Sequence, residues 1–400
     1  MRFDSAARLE RLVQRHPDAV IVEPGPAHQT VVRRDEILVA AQDVPVLDDL
    51  LRMWVADRED GPGVAKFRLR PKAKVDVCEL VADLSVHRRH RRLAVSPNHI
   101  LHGEPLWWGG PADVPRPADP PPAPDPVPAK RDVTVALLDT GLSPHPWYED
   151  TEWFQEQRDD VAEVLDADLD YELDAQAGHG TFVAGVLLQE APSVRFRVYR
   201  VLSSDGVCDE LDLVRALNDL HDWSVRTGQH VDVINLSLGC YSFDDRPSPV
   251  IAQALARFGR RTVVVGCAGN NASDRPFWPA ALKSVTAVAA LDHRGRGRAW
   301  FSNYGWWIDA CAVGERVTSS FVHFDGPRPP VNGVDPDLFV GYATWSGTSF
   351  AAPRVAGAIA RLAAEEDMPT AAAADEILDP AFARSMPDLG VAVSANGQGR

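Results

Sequence analysis

Cysteine is scarce in this chain, basic residues are outnumbered, and long apolar runs are missing. The five cysteines, Cys78, Cys208, Cys240, Cys267 and Cys311, are odd in number, widely spaced and without a C-x-x-C pair. That pattern argues against a disulfide framework or a cysteine zinc site, and it fits a reducing, cytoplasmic compartment. No apolar run reaches the length of about 18 residues that a transmembrane helix needs. Met1 to Glu10 alternates charged and apolar side chains, lacks the apolar core of a secretory signal, and reads as an amphipathic helix. Lys and Arg number 41 against 57 Asp and Glu, for a net charge of −16. The deficit is local: residues 1–110 carry 17 basic and 16 acidic side chains, whereas residues 132–400 carry 21 and 38. Such a surface repels nucleic acid and anionic membranes, so neither is expected as a partner. It serves solubility or attracts basic peptides; charge alone does not choose.

Proline is plentiful in one place. Residues 109–128, ending in Pro120-Pro121-Pro122-Ala123-Pro124-Asp125-Pro126-Val127-Pro128, read as a semi-rigid polyproline spacer. It separates an N-terminal unit (1–108) from a large unit (132–366), with a linker (109–131) between them. A tail (367–400) follows, with a short helix over 370–378 and a disordered end. In the N-terminal unit, 36–41, 64–69 and 92–95 read as strands and 44–55 and 75–85 as helices, a small α+β domain. The basic run His87 to Arg92 reads as a solvated turn or a surface facing the acidic unit. In the large unit, strands (133–138, 195–201, 231–236, 261–266, 284–290) alternate with helices (179–189, 209–226, 247–259). This predicts an α/β fold of three layers, a mostly parallel sheet with helices on both faces. Sites in such sheets form at the carboxyl ends of strands.

Four stretches place chemistry at those ends. The strand Val133 to Leu138 runs into Asp139-Thr140-Gly141. Gly178-His179-Gly180 opens a helix of small residues. Val263 to Val265 runs into Gly266-Cys267-Ala268-Gly269-Asn270-Asn271. Gly347-Thr348-Ser349-Phe350-Ala351-Ala352-Pro353 is a sharp turn entering a helix, with Pro353 expected early enough that its missing N–H costs little. Each residue alone has a plain reading as a cap or a turn former. As a set they supply what a serine nucleophile requires. Ser349 sits at a helix start that favours developing negative charge. His179 can take and return its proton, and Asp139 can hold the imidazole in the right tautomer.

These motifs, in the order Asp, His, Ser, resemble the subtilisin-like serine proteases over roughly residues 132–366. The resemblance implies an endopeptidase that forms an acyl-enzyme on Ser349, with His179 as base and acid and Asp139 as orienter. The Asn270 amide and the Ser349 N–H would form the oxyanion hole. Ser237, Leu238 and Gly239 match the family's segment that pairs with substrate, and Gly269 would form another wall. A second binding strand is expected in Ser204 to Glu210. There Asp209 and Glu210 either favour Lys or Arg upstream of the cut or simply start the 209–226 helix. No metal ligand and no organic cofactor are implied. The segment between Gly185 and Ala191 is shorter than the calcium-binding loop of many members, and a weak calcium site elsewhere stays open. Phe182 and Phe350 stand where His and Met are common, which implies altered packing. Arg298 to Asp309 resembles a family segment preceding the serine motif, with Trp306 and Trp307 as core or cleft wall.

The N-terminal unit stands where the family carries a propeptide, and Val95 to His102 resembles its last strand. That implies a folding aid and intramolecular inhibitor, with protein or peptide substrates as the other partners. The spacer could be cut in maturation or never cut. The alternative is an autoinhibited or inactive binding module on the same fold; hydrolysis of small esters is a third reading.

Overall fold

The computed structural model describes residues 14–22, 30–71, 74–86, 93–103, 114–125, 127–381 and 383–394. The basic run 87–92, the spacer's start and the last six residues lie outside the described residues.

The N-terminal unit contains strands β1 (Ala19–Val22), β2 (Thr30–Ala40), β3 (Val55–Gly61), β4 (Val64–Leu69) and β5 (Val95–His102), with helices α1 (Val44–Leu51) and α2 (Val77–Val86). The strands form an antiparallel sheet in the order β3-β4-β2-β5, with β1 also on β2. Ile37, Phe67, Leu47 and Val81 fill the space between sheet and helices. The expected helix over 44–55 stops at Leu51, because Val55 opens a hairpin whose Pro62-Gly63 turn returns into β4. The last strand starts at Val95 rather than at residue 92, and all eight of its residues are buried.

The spacer contributes β6 (Arg116–Pro117). The large unit then holds β7 (Thr134–Asp139), α3 (His179–Glu190), β8 (Arg195–Arg200), β9 (Val207–Asp209), α4 (Glu210–Thr227), β10 (Val233–Leu236), α5 (Pro249–Ala256), β11 (Val263–Cys267) and β12 (Val285–Leu291). It continues through β13 (Ala310–Val313), β14 (Val317–Asp325), β15 (Leu338–Trp345), α6 (Thr348–Glu366), α7 (Thr370–Ile377), β16 (Ser385–Met386) and β17 (Gly390–Ala392). The main sheet runs β16-β17-β13-β12-β11-β10-β7-β8, parallel except for β16. Alternation along β7 shows why it is covered twice. Val135 and Leu137 face the core shared with Phe182 and Val355, while Ala136 and Leu138 face Leu213, Leu217 and Ile251. So α3 and α6 cover one face, and α4 and α5 the other. The tail is part of this sheet as far as Ala392. A separate antiparallel sheet, β14-β15-β6, holds the spacer by pairing Arg116 and Pro117 with Thr344 and Ala343.

Strand β14 lies across α3. Its Ser319 and Ser320 hydroxyls donate to the Phe182 and Thr181 carbonyls at 2.9 and 2.8 Å. A Cβ at Gly185 would stand 2.1 Å from Ser320 Oγ and 2.4 Å from Ser319 Oγ. Glycine-to-alanine changes inside a helix ordinarily stabilise, by roughly 0.5–1 kcal/mol. Here overpacking of about 1–3 kcal/mol should win. Gly185→Ala is therefore expected to lower the thermal midpoint, and a midpoint equal to or above wild type would contradict this packing.

Candidate active site

Asp139 ends β7 and His179 begins α3. Their approach depends on Gly180, whose Cβ would lie 2.2 Å from the Gly141 carbonyl oxygen. His179 Nδ1 lies 2.7 Å from Asp139 Oδ1, and both side chains are buried. The Thr140 N–H also donates to Asp139 Oδ1 at 2.8 Å. The imidazole is walled by Trp345 and Phe350, with ring centroids at 5.6 and 5.4 Å. Phe182 meets Phe350 at 4.5 Å. The two phenylalanines therefore help to cage the histidine.

Ser349 is the second residue of α6, so its N–H is among the first-turn donors without a helical acceptor. Pro353 is the sixth residue, not part of the first turn as expected. Its missing N–H is the one that would have served the Ser349 carbonyl. The Ser237 hydroxyl replaces it, donating to Ser349 O at 2.9 Å, and Asn235 Nδ2 donates in turn to Ser237 Oγ at 3.0 Å. The proline thus ties the serine-bearing helix to the segment after β10. Cys267 lies under the same turn. Burial pushes its thiol up to about 12, against opposing hydrogen bonds from Ser349 and Thr348, so it stays protonated and does not compete as a nucleophile.

Asn270 follows β11. Its Oδ1 accepts from the Thr348 N–H and hydroxyl, both at 2.8 Å. That fixes the amide and leaves Nδ2 buried with no acceptor among the described residues. Asn303 holds the turn from behind: it donates to the Ala268 carbonyl at 2.7 Å and accepts from the Asn271 and Ser273 N–H groups at 3.0 Å. Gly269 lies in this turn, its N–H donating to Thr348 Oγ1 at 3.0 Å.

A backbone strand occupies the cleft, and it is the end of β5. His102 and Gly239 exchange both backbone hydrogen bonds, at 2.8 and 3.0 Å. On the other side, β5 pairs antiparallel with β9, Ile100 opposite Asp209 and His102 opposite Val207. The Gly103 N–H reaches Gly206 O at 3.0 Å. Ser349 Oγ lies 3.1 Å from the Gly103 carbonyl oxygen and 3.3 Å from that of Ser237. Leu238 turns its side chain into the core, so it offers the cleft only backbone. Asp209 holds Arg33 of β2, with nitrogens at 2.7 and 2.8 Å. Glu210 corrects the expectation that placed it beside the substrate. Its carboxylate is buried, accepts from the hydroxyls of Ser248 and Ser96, and lies 2.5 Å from His99 Nδ1. It grips β5 rather than lining the reacting end.

Two neighbours of the site carried no sequence signal. Glu163 gathers the turn after Asp139 and the first turn of α3. It accepts from the hydroxyls of Thr140 at 2.5 Å, Thr181 at 2.6 Å and Ser143 at 3.1 Å. Burial, with the Asp139 charge acting the same way, raises its carboxyl above the ordinary range against those hydroxyls. Gln176 is buried beside Gly103. Where a calcium loop would insert, Val186 to Glu190 is the last turn of α3, and Glu190 is paired with Arg354 at 2.6 Å. Trp307 is buried and donates to Asp274 O at 3.0 Å, whereas Trp306 is exposed.

A buried Asp–His pair, a serine at a helix start and an amide donor waiting beside it define a nucleophilic hydrolase site at the carboxyl ends of parallel strands. The comparisons agree. The subtilase family model matches residues 130–399, so the chain belongs to that family. It is 35% identical over 243 residues to the thermophilic serine proteinase of Bacillus sp. (strain AK1), covering 58% of this chain and 52% of that one. It is 33% identical over 238 residues to subtilisin BL of Lederbergia lenta, covering 57% and 75%. The matched region thus spans about half of the first relative and three quarters of the second. The crystal structure of fervidolysin from Fervidobacterium pennivorans, a keratinolytic enzyme related to subtilisin, shares the fold. Its TM-score is 0.61 at 18% identity, with 93% of this chain and 62% of that one covered.

The Glu163 carboxyl gives this site a pH signature. In the fold it keeps its proton into a range where the unfolded chain has lost it. Its contribution is therefore complete at low pH and declines as pH rises through the raised value. Glu163→Gln removes the titration. As pH rises above the ordinary glutamate range near about 4.3, the wild-type thermal midpoint should lose ground to the variant's; parallel curves would contradict the raised carboxyl.

Proposed function

We propose that this chain is a serine endopeptidase acting through an acyl-enzyme on Ser349, and that its N-terminal unit is an intramolecular inhibitor. The observation that carries the reading is the end of β5, an extended backbone paired on both sides and brought to within 3.1 Å of Ser349 Oγ. A substrate strand would use the same backbone groups of Gly206, Val207–Asp209 and Gly239. Ser349 Oγ bonds to the carbonyl carbon while His179, through Nε2, takes the hydroxyl proton. Asp139, on Nδ1, stabilises the imidazolium. The carbonyl oxygen becomes an oxyanion between Asn270 Nδ2 and the Ser349 N–H. The C–N bond breaks as His179 passes its proton to the leaving amine, and water then releases the acyl group by the reverse sequence. The step requires no organic cofactor and no metal ion.

The inhibitor is gripped by more than its strand. Arg33 pairs with Asp209, Arg15 with Asp168 and Asp205, and Ser96 and His99 with Glu210. Asp209 already holding a guanidinium supports a preference for Lys or Arg upstream of the cut. The acidic large unit supports peptide or protein substrates over nucleic acid or membranes as partners. The five buried, unbridged cysteines support a cytoplasmic location. This same grip favours a second reading, a closed binding module whose N-terminal unit never leaves.

Hydrolysis of quenched peptides by wild type, Ser349→Ala and Asn270→Ala tests the proposal. Ser349→Ala should fall to background. Asn270→Ala should lose about 10²–10³ in kcat, a magnitude established on subtilisin itself. Wild type with no turnover, before or after limited proteolysis of the spacer, would favour the closed module.

A further inference from the structure

The side chain of Gln176 is buried, 1% exposed, yet both its Oε1 and its Nε2 lack a hydrogen-bond partner among the described residues. A buried amide in that state is costly unless something is meant to meet it. Its position is fixed rather than adaptable. The Gln176 N–H donates to Ser204 O at 2.8 Å, and the Gln176 carbonyl accepts from the His179 N–H at 3.1 Å. Gly206 makes room for the side chain: a Cβ there would lie 2.2 Å from Gln176 Cγ.

The amide points at the space beside Gly103. A Cβ built on Gly103 would meet Gln176 Oε1 at 3.4 Å, the Ser237 carbonyl oxygen at 3.5 Å and Leu202 Cδ1 at 3.6 Å. These are ordinary contacts, so a small side chain fits against all three walls. Gly103 is not among the residues with positive φ, so its backbone accepts an L side chain. Glycine leaves the niche unfilled and the amide unmet. A hydroxyl one bond beyond Cβ would come within hydrogen-bond range of the amide, whichever way the amide is turned.

We propose that Gln176 is a specificity-determining residue of the subsite now holding Gly103, and that this subsite takes a small hydroxyl side chain, serine above all, over an apolar one of similar size. As a statement about substrates this rests on the endopeptidase reading; as a statement about the niche it does not. A site that hydrogen-bonds a hydroxyl discriminates against the analogue lacking it because its own polar group is then left unpaired.

The full chain carries its own ligand, so the test needs no turnover. Gly103→Ser and Gly103→Ala are compared in the wild-type background and in Gln176→Leu, by thermal midpoint and by the denaturant dependence of unfolding. In the wild-type background the serine variant's unfolding constant should be about 2- to 12-fold smaller than the alanine variant's, the range of one net hydrogen bond. In Gln176→Leu that advantage should vanish. An equal serine–alanine difference in both backgrounds, or no advantage for serine in the first, overturns the proposal. Gln176→Met serves in place of Gln176→Leu if the latter does not fold. With peptide substrates, serine at this position should raise kcat/KM by a similar factor over alanine, and Gln176→Leu should abolish the gain. Absence of all peptide turnover would count against the endopeptidase reading and leave the unfolding cycle to decide the niche.

Discussion

Two backbone hydrogen bonds between His102 and Gly239 set the register on which the molecule depends. Strand β5 belongs at once to the N-terminal sheet, through β2, and to the large unit, through β9 and Gly239. Shifting it by one residue would turn each side chain to the opposite face. All eight of its residues are buried, so such a slip has no cheap solution. The surrounding polar contacts follow from this register. With Ser96 and His99 where they are, β5 supplies two of the three partners of the buried Glu210. Only then does the Gly103 carbonyl reach Ser349.

The chemistry of the large unit depends on the parallel sheet in the same way. Asp139 and Asn270 leave the carboxyl ends of β7 and β11, and the helices that return from that edge start with His179 and Ser349. Small residues allow the close approaches. Where the chain breaks a local rule, a neighbour repairs it. Pro353 deprives the Ser349 carbonyl of its helical partner, and Ser237 supplies another from the wall of the cleft. The repair makes the position of Ser349 depend on the segment after β10, so the two cannot drift apart independently.

The parallel strands and the residues that end them were legible because apolar β-branched runs stop at an acid, an Asn or a glycine. The β3 strand was not, since Val-Ala-Asp-Arg-Glu-Asp-Gly carries almost no apolar face and is set by its partner β4. In β15 the alternation of burial is clear in the fold but is blurred in the sequence by Gly341 and Ala343. Asp209 and Glu210 are adjacent acids with different fates, one on the half-buried Arg33 and one fully buried under β5. Nothing local separates them. Glu163 acts through hydroxyls 18 or more residues away, and Gln176 faces Gly103 across the fold; polar residues of that kind look like any loop residue until the chain is folded.

If the N-terminal unit closes a competent site by backbone pairing, breaking that pairing must open it. Replacing His102 with proline removes the N–H that Gly239 accepts and leaves the triad untouched. The direct measurement is the rate at which a fluorophosphonate labels Ser349, read by peptide mass spectrometry, in wild type and in His102→Pro. Closure of this kind predicts slow labelling of the full chain and markedly faster labelling of the variant, confined to Ser349. Equal rates in both, whether fast or absent, would contradict it.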